Sequence, residues 1–389
     1  MNTPEAQADV GFGGVKAFAF CEGIEGEIES LWNFVKCFVG GLSDHSHWPV
    51  IGTHVPPYME HANVEFLSTA MGLEFVERET QKVVVDPDLI QSGDFLAITR
   101  LDGLDPIIMY GTGSHIGHST MALRFDGELY VVESQDAWYW PTHGLQRTLW
   151  ADWIKQAEDA SFHVSWLPLR SDIREKFDEA AAQNFFFMTE GLPYGYHNFL
   201  YGWIDTPKDN WPPLLPNEGV PIVFSVLEHL LPETAYIFFS SALNKRLGVQ
   251  DKNIEELAMI AAERGYSIQD VMAMVELDGW EYTGEEPRDG LSYVCSAYVA
   301  AQYKAAGLFD DMKIQATEFT PRDVYSLDIF DVTYERPEAC ISADPSLPYC
   351  QLLGKYRMTL PGYSSISPYE NMNETCPINW PSYSRDPYC

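Results

Sequence analysis

Basic residues are scarce in this chain. Its 389 residues include 57 Asp and Glu but only 24 Lys and Arg, which gives a formal net charge of -33. A surface with this charge repels phosphate groups, so nucleic acid and anionic membranes are poor candidate partners. Charge does not determine fold, and the simplest expectation is a highly soluble protein whose 46% hydrophobic residues build a globular core.

Long apolar runs are also missing. A helix that spans a bilayer needs about 18 or more consecutive apolar residues. The most apolar segment, residues 219–243, is interrupted by Glu228 and Pro232, among others, so we predict a buried helix there and no transmembrane segment. The opening residues MNTPEAQADV lack a basic stretch followed by an apolar one, so they do not resemble a signal peptide.

Metal-binding spacings are absent as well. The sequence contains no C-x-x-C pair, and its ten histidines show no H-x-x-x-H spacing. We therefore expect no metal site and no cofactor. The sequence makes no prediction of the oligomeric state.

Cysteines are few but unevenly placed. Four of the seven lie in the last 50 residues, in a segment rich in proline and tyrosine. We interpret this tail as unable to build a regular core and therefore dependent on disulfides, which indicates a secreted or lumenal protein. We assign Cys21 to Cys37 as a local pair and leave Cys295 as the free thiol. The four tail cysteines are assigned to each other, in unspecified pairs: Cys340, Cys350, Cys376 and Cys389.

The tail carries a further sign of an oxidising compartment. Asn373-Glu374-Thr375 is an acceptor sequence for N-glycosylation, which predicts a glycan on Asn373. A single such triplet also arises by chance.

Three regions follow from the pattern along the chain. Residues 1–84 are predicted to be an N-terminal extension, and residues 85–335 the main domain with a helical insertion at about 203–285. Residues 336–389 form the disulfide-stapled tail. Short strands and helices both occur within the main domain, and we predict an α+β fold.

A β-hairpin is the clearest local element. Ser119–Phe125 and Glu128–Glu133 are rich in β-forming residues and flank Asp126-Gly127, a dipeptide typical of a type I′ turn. The two strands are therefore predicted to be antiparallel neighbours.

Three segments carry side chains suited to cysteine chemistry. GTGSHIGHSTMAL places His115 and His118 at the start of the hairpin, and ELYVVES carries Glu133 on its return strand. SYVCSAYVAAQY places Cys295 in the first turn of a helix predicted over residues 291–308, with Ser292 as N-cap.

The chemistry requires these residue types together. A free thiol has a pKa of about 8.5, and its thiolate, which is the nucleophile, is stabilised by a helix N-terminus and by a nearby imidazolium. The imidazole needs a partner on its other nitrogen to fix its tautomer. Glu133, on the strand opposite His118, can supply that contact.

The order of these motifs resembles circularly permuted NlpC/P60 proteins, such as the YiiX-like amidases, over roughly residues 90–205 and 285–330. Five segments carry the resemblance: Ser92-Gly93-Asp94-Phe95-Leu96, Thr112-Gly113-Ser114 with Gly117-His118-Ser119, Tyr130-Val131-Val132-Glu133-Ser134, Gly191-Leu192-Pro193-Tyr194 and Tyr293-Val294-Cys295-Ser296. Two positions depart from the family pattern, since Ala297 stands where Glu is frequent and Gly195 where Asp is expected.

This resemblance implies a permuted papain-like fold, in which an antiparallel sheet packs on the helix that bears the cysteine. It implies that Cys295 is the nucleophile, His118 its base and Glu133 the orienting group. The implied reaction is hydrolysis of amide bonds in a peptide or peptidoglycan-like substrate. Four residues are assigned to substrate binding, with Tyr293 as an oxyanion donor beside the backbone N–H of Cys295: Tyr293, Ser114, Tyr194 and Trp138.

Other interpretations remain open from the residues alone. A lone cysteine in VCSAYVAA is often a buried small hydrophobic residue. His115 is an alternative to His118 as the base, and on a straight strand the two would point to opposite faces. Trp138 and Tyr194 belong to an aromatic group that suits core packing as well as an apolar substrate wall. The alternative functions are an acyltransferase or thioesterase of the same fold, acting on an acyl substrate, and a secreted binding protein without turnover.

The cysteine assignment makes a direct prediction. In a peptide map under non-reducing conditions, the peptide that contains Cys295 should appear unlinked, while the other six cysteines appear in cross-linked peptides. A cross-linked Cys295 would exclude it as a nucleophile.

Overall fold

The computed structural model describes residues 54–102, 104–135, 144–201, 219–230, 232–272, 274, 276–282, 289–369 and 372. Six of the residues singled out from the sequence lie outside these ranges: Cys21, Cys37, Trp138, Asn373, Cys376 and Cys389. The disulfides, glycan and substrate contact assigned to them stay predictions.

The centre of the molecule is a β-sheet. Its strands are β1 Phe95–Thr99, β2 His118–Phe125, β3 Glu128–Gln135, β4 Gly144–Leu149, β5 His163–Leu167 and β6 Cys350–Leu353. Within the described ranges they form one six-stranded sheet in the order β4-β3-β2-β1-β5-β6, and every neighbouring pair is antiparallel. The predicted α+β class is confirmed.

Helices flank this sheet, apart from those of the insertion, which share a core of their own. Those before the insertion are α1 Pro57–Met71, α2 Leu104–Thr112, α3 Trp150–Asp159, α4 Ser171–Arg174, α5 Glu179–Thr189 and α6 Asn198–Tyr201. The insertion contributes α7 Gly219–Leu230, α8 Pro232–Ala235, a π-helical turn Tyr236–Ser240, α9 Ser241–Leu247, α10 Ile254–Glu263 and α11 Ile268–Met272. After it come α12 Cys295–Ala305, α13 Pro321–Ser326 and α14 Glu338–Ala343.

The predicted hairpin is confirmed as β2 and β3. Asp126 and Gly127 have φ values of 51° and 84°, the left-handed conformation that both central residues of a type I′ turn require. The turn pairs Phe125 with Glu128, and the register continues to Met121 opposite Val132. Because side chains alternate along a strand, this register decides which residues of β2 and β3 share a face.

Both faces of the sheet are buried. Phe95 and Ala97 belong to the core that contains α12, whereas Leu96 and Ile98 belong to the core on the other face, which contains Trp153 of α3. This alternation explains why β1 is apolar from Phe95 to Ile98, since each successive side chain enters a different core.

Helix α12 begins later than predicted. Its first residue is Cys295, and Val294 is the N-cap in extended conformation, with φ -72° and ψ 171° and no side-chain cap. The predicted start at residue 291 with Ser292 as N-cap is therefore wrong. Val294 is extended, and Tyr293 before it forms a β-bridge with Tyr194, which keeps this segment out of the helix. The consequence is that Cys295 occupies the first helical position.

The predicted helix over residues 219–243 is only partly buried. The segment is helical where described, but Ile222, Val226 and Leu230 of α7 are 64%, 51% and 70% exposed. These three residues are spaced four apart and so lie on one side of the helix. The expectation that this side is buried is wrong. Across the described ranges, no helix combines the length and apolar character needed to cross a bilayer.

The beginning of the tail has regular structure, contrary to expectation. Residues 338–343 form α14, and β6 is an edge strand that pairs with β5. Leu347 and Tyr349 enter the core that contains α12. The run Cys350-Gln351-Leu352-Leu353 is fully buried, because it closes the edge of the sheet.

One of the assigned tail disulfides is present. Cys340 in α14 is bonded to Cys350 in β6, with a sequence separation of 10 residues. Among the cysteines of the described ranges, Cys295 is free.

This disulfide should stabilise the fold through the short loop that it closes. Replacing both partners, Cys340→Ala with Cys350→Ala, is expected to lower the free energy of unfolding by about 3 kcal/mol, because the unfolded chain regains the entropy of that loop. Urea unfolding of the double variant and of the oxidised wild type measures the difference. Equal midpoints and slopes would contradict the expectation.

Candidate active site

The thiol of Cys295 lies at the N-terminus of α12. The side chain is 0% exposed, and the helix directs its first unpaired N–H groups toward this end. Aligned peptide dipoles give that end a partial positive charge, which favours a thiolate. The sequence predicted this placement, apart from the exact start of the helix.

His118 and Glu133 form a buried pair beside it. Nε2 of His118 lies 2.9 Å from Oε2 of Glu133, and the two residues are 2% and 0% exposed. The hairpin explains the contact: continuing the register from Met121 opposite Val132 places Glu133 across from Thr120, one pleat away from His118 on the same face. The structure therefore brings these two side chains together as predicted.

His118 also interacts with Cys295. Burial acts to lower the pKa of His118, but the charge and hydrogen bond of Cys295, followed by the hydrogen bond and charge of Glu133, raise this pKa well above its ordinary value of 6.5. Since Nε2 faces Glu133, Nδ1 is the nitrogen that remains for the sulfur. The arrangement favours an imidazolium between a sulfur and a carboxylate.

Trp153 completes the surroundings of Glu133. Its indole Nε1 donates to Oε1 of Glu133 at 3.1 Å, so the carboxylate has one partner on each oxygen. A buried carboxylate with both oxygens occupied is held in one orientation. Sequence reasoning missed this residue, because the amphipathic pattern of α3 marks Trp153 only as a core residue.

Tyr194 reaches the sulfur directly. Its hydroxyl lies 3.9 Å from Sγ of Cys295, and the thiol lies 4.0 Å from the carbonyl oxygen of Gly117. Tyr194 is 4% exposed and comes from the segment predicted to bind substrate. Tyr194 is thus a neighbour of the thiol, and its assignment to substrate binding stays a prediction.

Two other predicted contact residues point elsewhere. The hydroxyl of Tyr293 donates to the carbonyl oxygen of Asp278 at 2.6 Å, so it is not directed at Cys295. Its proposed role as oxyanion donor is not supported, and Tyr194 holds the nearer hydroxyl. Ser114 is 0% exposed, and its Oγ accepts from the N–H of Ile116 in the turn before His118, which is a structural contact.

His115, the alternative base, lies apart from the pair. Its Nδ1 is 2.9 Å from the carbonyl oxygen of Thr359, and it lines a cleft with His163 that does not include Cys295 or His118. Across the described residues, no group of three or more His, Cys, Asp or Glu side chains is arranged to hold a metal ion.

Comparisons of the chain with protein-family models, with curated proteins and with solved structures each find no match. What the site can do must therefore be argued from its geometry. The resemblance to permuted NlpC/P60 proteins stays a prediction from the motifs.

The link between Glu133 and His118 can be tested by titration. Glu133→Gln removes a carboxylate that favours the imidazolium, so the pKa of His118 should fall, as measured by NMR of the imidazole C–H signals. Because the folded-state pKa is raised, the stability lost in the variant should be largest below about pH 6.5 and should shrink as the pH rises through that pKa. Glu228→Gln, within the insertion, is the control. An unchanged His118 titration in Glu133→Gln would contradict the coupling.

Proposed function

We propose that this protein is a cysteine hydrolase that cleaves amide bonds, with a peptide or peptidoglycan-like substrate. One observation carries the proposal. A free thiol is buried at a helix N-terminus, and its charge and hydrogen bond help to raise the pKa of His118, a buried histidine whose Nε2 faces a buried carboxylate. Structural histidines and cysteines have no need of this combination.

In the first half of the reaction, the Cys295 thiolate attacks the carbonyl carbon of the substrate and forms a tetrahedral intermediate. The backbone N–H of Cys295 and the hydroxyl of Tyr194 stabilise its oxyanion. The His118 imidazolium then donates its Nδ1 proton to the leaving amine, the C–N bond breaks, and a thioester remains on Cys295.

In the second half, neutral His118 accepts a proton from water as the water oxygen attacks the thioester. The C–S bond breaks, the acid leaves, and the thiolate and imidazolium are regenerated. Glu133 keeps the imidazole in one orientation throughout and stabilises its charged form, and Trp153 holds Glu133.

Acyl transfer is the second candidate, and the burial of the thiol favours it. Cys295 and its partners His118 and Glu133 are almost fully shielded from solvent. Exclusion of water protects a thioester from hydrolysis until an amine or alcohol acceptor arrives. Product analysis with a lipid or peptide acyl donor, with and without an added amine acceptor, separates transfer from hydrolysis.

We also propose that the protein works in an oxidising compartment, secreted or lumenal. The Cys340–Cys350 disulfide supports this, because such bonds persist where thiols are not kept reduced.

The proposed thiolate predicts a distinct alkylation profile. Wild-type Cys295 should react with iodoacetamide with a half-maximal rate below pH 7, because the raised pKa of His118 favours the ion pair. His118→Asn should shift the midpoint toward the value of about 8.5 of an ordinary thiol and slow the reaction at pH 6 about tenfold.

The midpoint, unlike the absolute rate, does not depend on how accessible the buried sulfur is. Cys295→Ala, which should not be labelled, is the control. Identical midpoints in the wild type and in His118→Asn would favour the third possibility, a binding protein without turnover.

A further inference from the structure

Two residues immediately before Cys295 are fixed by three hydrogen bonds. The carbonyl oxygen of Tyr293 accepts from Oγ of Ser134 at 2.6 Å and from the N–H of Gly195 at 3.1 Å. The N–H of Val294 donates to Oδ1 of Asn198 at 3.0 Å. The first position of α12, and with it the sulfur, is therefore set from outside the helix.

Of the groups that hold the segment before Cys295, Asn198 is the one whose side chain bonds to the residue adjacent to Cys295. It is 0% exposed, and the bond from Val294 fixes which end of its amide faces the helix, because only Oδ1 can accept. Its Nδ2 is buried and finds no acceptor within the part of the chain that the structure describes. An amide retained with an unsatisfied donor is oriented by the Val294 contact rather than by its own complete hydrogen bonding.

Gly195, three residues before Asn198, leaves the space that the contact between Asn198 and Val294 needs. A Cβ on Gly195 would lie 2.7 Å from Oδ1 of Asn198 and 2.8 Å from the backbone nitrogen of Tyr293. Glycine at this position lets the three segments approach closely, since any side chain would push Asn198 or Tyr293 aside.

The neighbour of Asn198 points the opposite way, into the insertion. Nε2 of His197 lies 3.3 Å from Oε1 of Glu276, and its ring lies 4.2 Å from the ring of Tyr282. Glu276 also pairs with Nη2 of Arg246 at 2.5 Å and accepts from the hydroxyl of Tyr282. All of these groups are buried, so the insertion holds His197 through the carboxylate of Glu276 and the ring of Tyr282.

We propose that Asn198 is a positioning residue for Cys295, and that the insertion holds Asn198 in place through His197 and Glu276. The proposal rests on the hydrolase function given above and adds a role for the insertion. Residues 276–282 also contact the segment that precedes α12, because the carbonyl oxygen of Asp278 accepts a hydrogen bond from the hydroxyl of Tyr293. The insertion is then part of the catalytic machinery rather than an appended module.

The test is the pH profile of iodoacetamide alkylation of Cys295, measured between about pH 5 and pH 9. Asn198→Ala removes the acceptor for Val294, so the thiolate–imidazolium contact should loosen. The midpoint should rise by about one pH unit, and the rate at pH 6 should fall about tenfold. Circular dichroism and thermal unfolding confirm that the variant is folded.

Asn198→Asp decides the question if Asn198→Ala does not fold. It keeps an oxygen that accepts from Val294, and its charge near the sulfur should raise the midpoint while the rate at high pH stays that of the wild type. A wild-type midpoint in the folded Asn198 variants would overturn the proposal.

Asn244→Ala is the matched control. Asn244 is a buried asparagine whose hydrogen bonds, to Ser240 and Lys252, stay within the insertion. Its replacement should lower the melting temperature and leave the alkylation midpoint unchanged. If Asn244→Ala shifted the midpoint as much as Asn198→Ala does, the shift would reflect a general loss of stability, and the specific role of Asn198 would be overturned.

The contribution of the insertion is tested by Glu276→Gln and by the milder Tyr282→Phe. Both should raise the midpoint, as Asn198→Ala does, and the size of the rise should be about a third of that in Asn198→Ala. Wild-type midpoints in both, beside a shift in Asn198→Ala, would overturn the role of the insertion. A wild-type midpoint near 8.5 would instead show that the proposed hydrolase function itself has failed.

Discussion

The register of the hairpin formed by β2 and β3 is the constraint on which the site depends. His118 and Glu133 share a face only because the Asp126-Gly127 turn pairs Phe125 with Glu128. A slip of one residue would send the two side chains to opposite faces of the sheet. The carboxylate would then lie buried without its imidazole, which is an unfavourable state that the native turn avoids.

Buried charge recurs in the two places that matter most for the proposed reaction. Glu133 has His118 on one oxygen and Trp153 on the other. Burial alone would raise the pKa of Glu276, but the charge of Arg246 and the contacts of His197 and Tyr282 lower it to about 2. Each carboxylate is tolerated because its partners are buried with it, and each fixes the position of a histidine.

Local patterns predicted the elements that carry the site. Alternation and the turn dipeptide predicted the hairpin, and the odd number of cysteines singled out Cys295. Contacts between distant segments were not predictable. Trp153 approaches Glu133 only because α3 covers the same sheet face, and Tyr293 turns to Asp278 because the insertion folds back against α12.

Composition was misleading where tertiary structure overrode it. A segment rich in proline supplied β6, since the sheet offered an unpaired edge beside β5. The start of α12 was displaced from Ser292 to Cys295 by the extended pairing of Tyr293 with Tyr194. In both cases the partner that decided the conformation lies far away in the sequence.

The position of α12 late in the chain has a consequence for synthesis on the ribosome. The hairpin with His118 and Glu133 emerges long before α12, which covers one of its faces, and before β6, which closes the far edge of the sheet. Until then α5, through Phe186 against Phe125, covers only part of the apolar face of β2 and β3, and exposed apolar surfaces favour aggregation. The nascent chain therefore needs protection, by a chaperone or by transient collapse, until the segment that carries the nucleophile arrives.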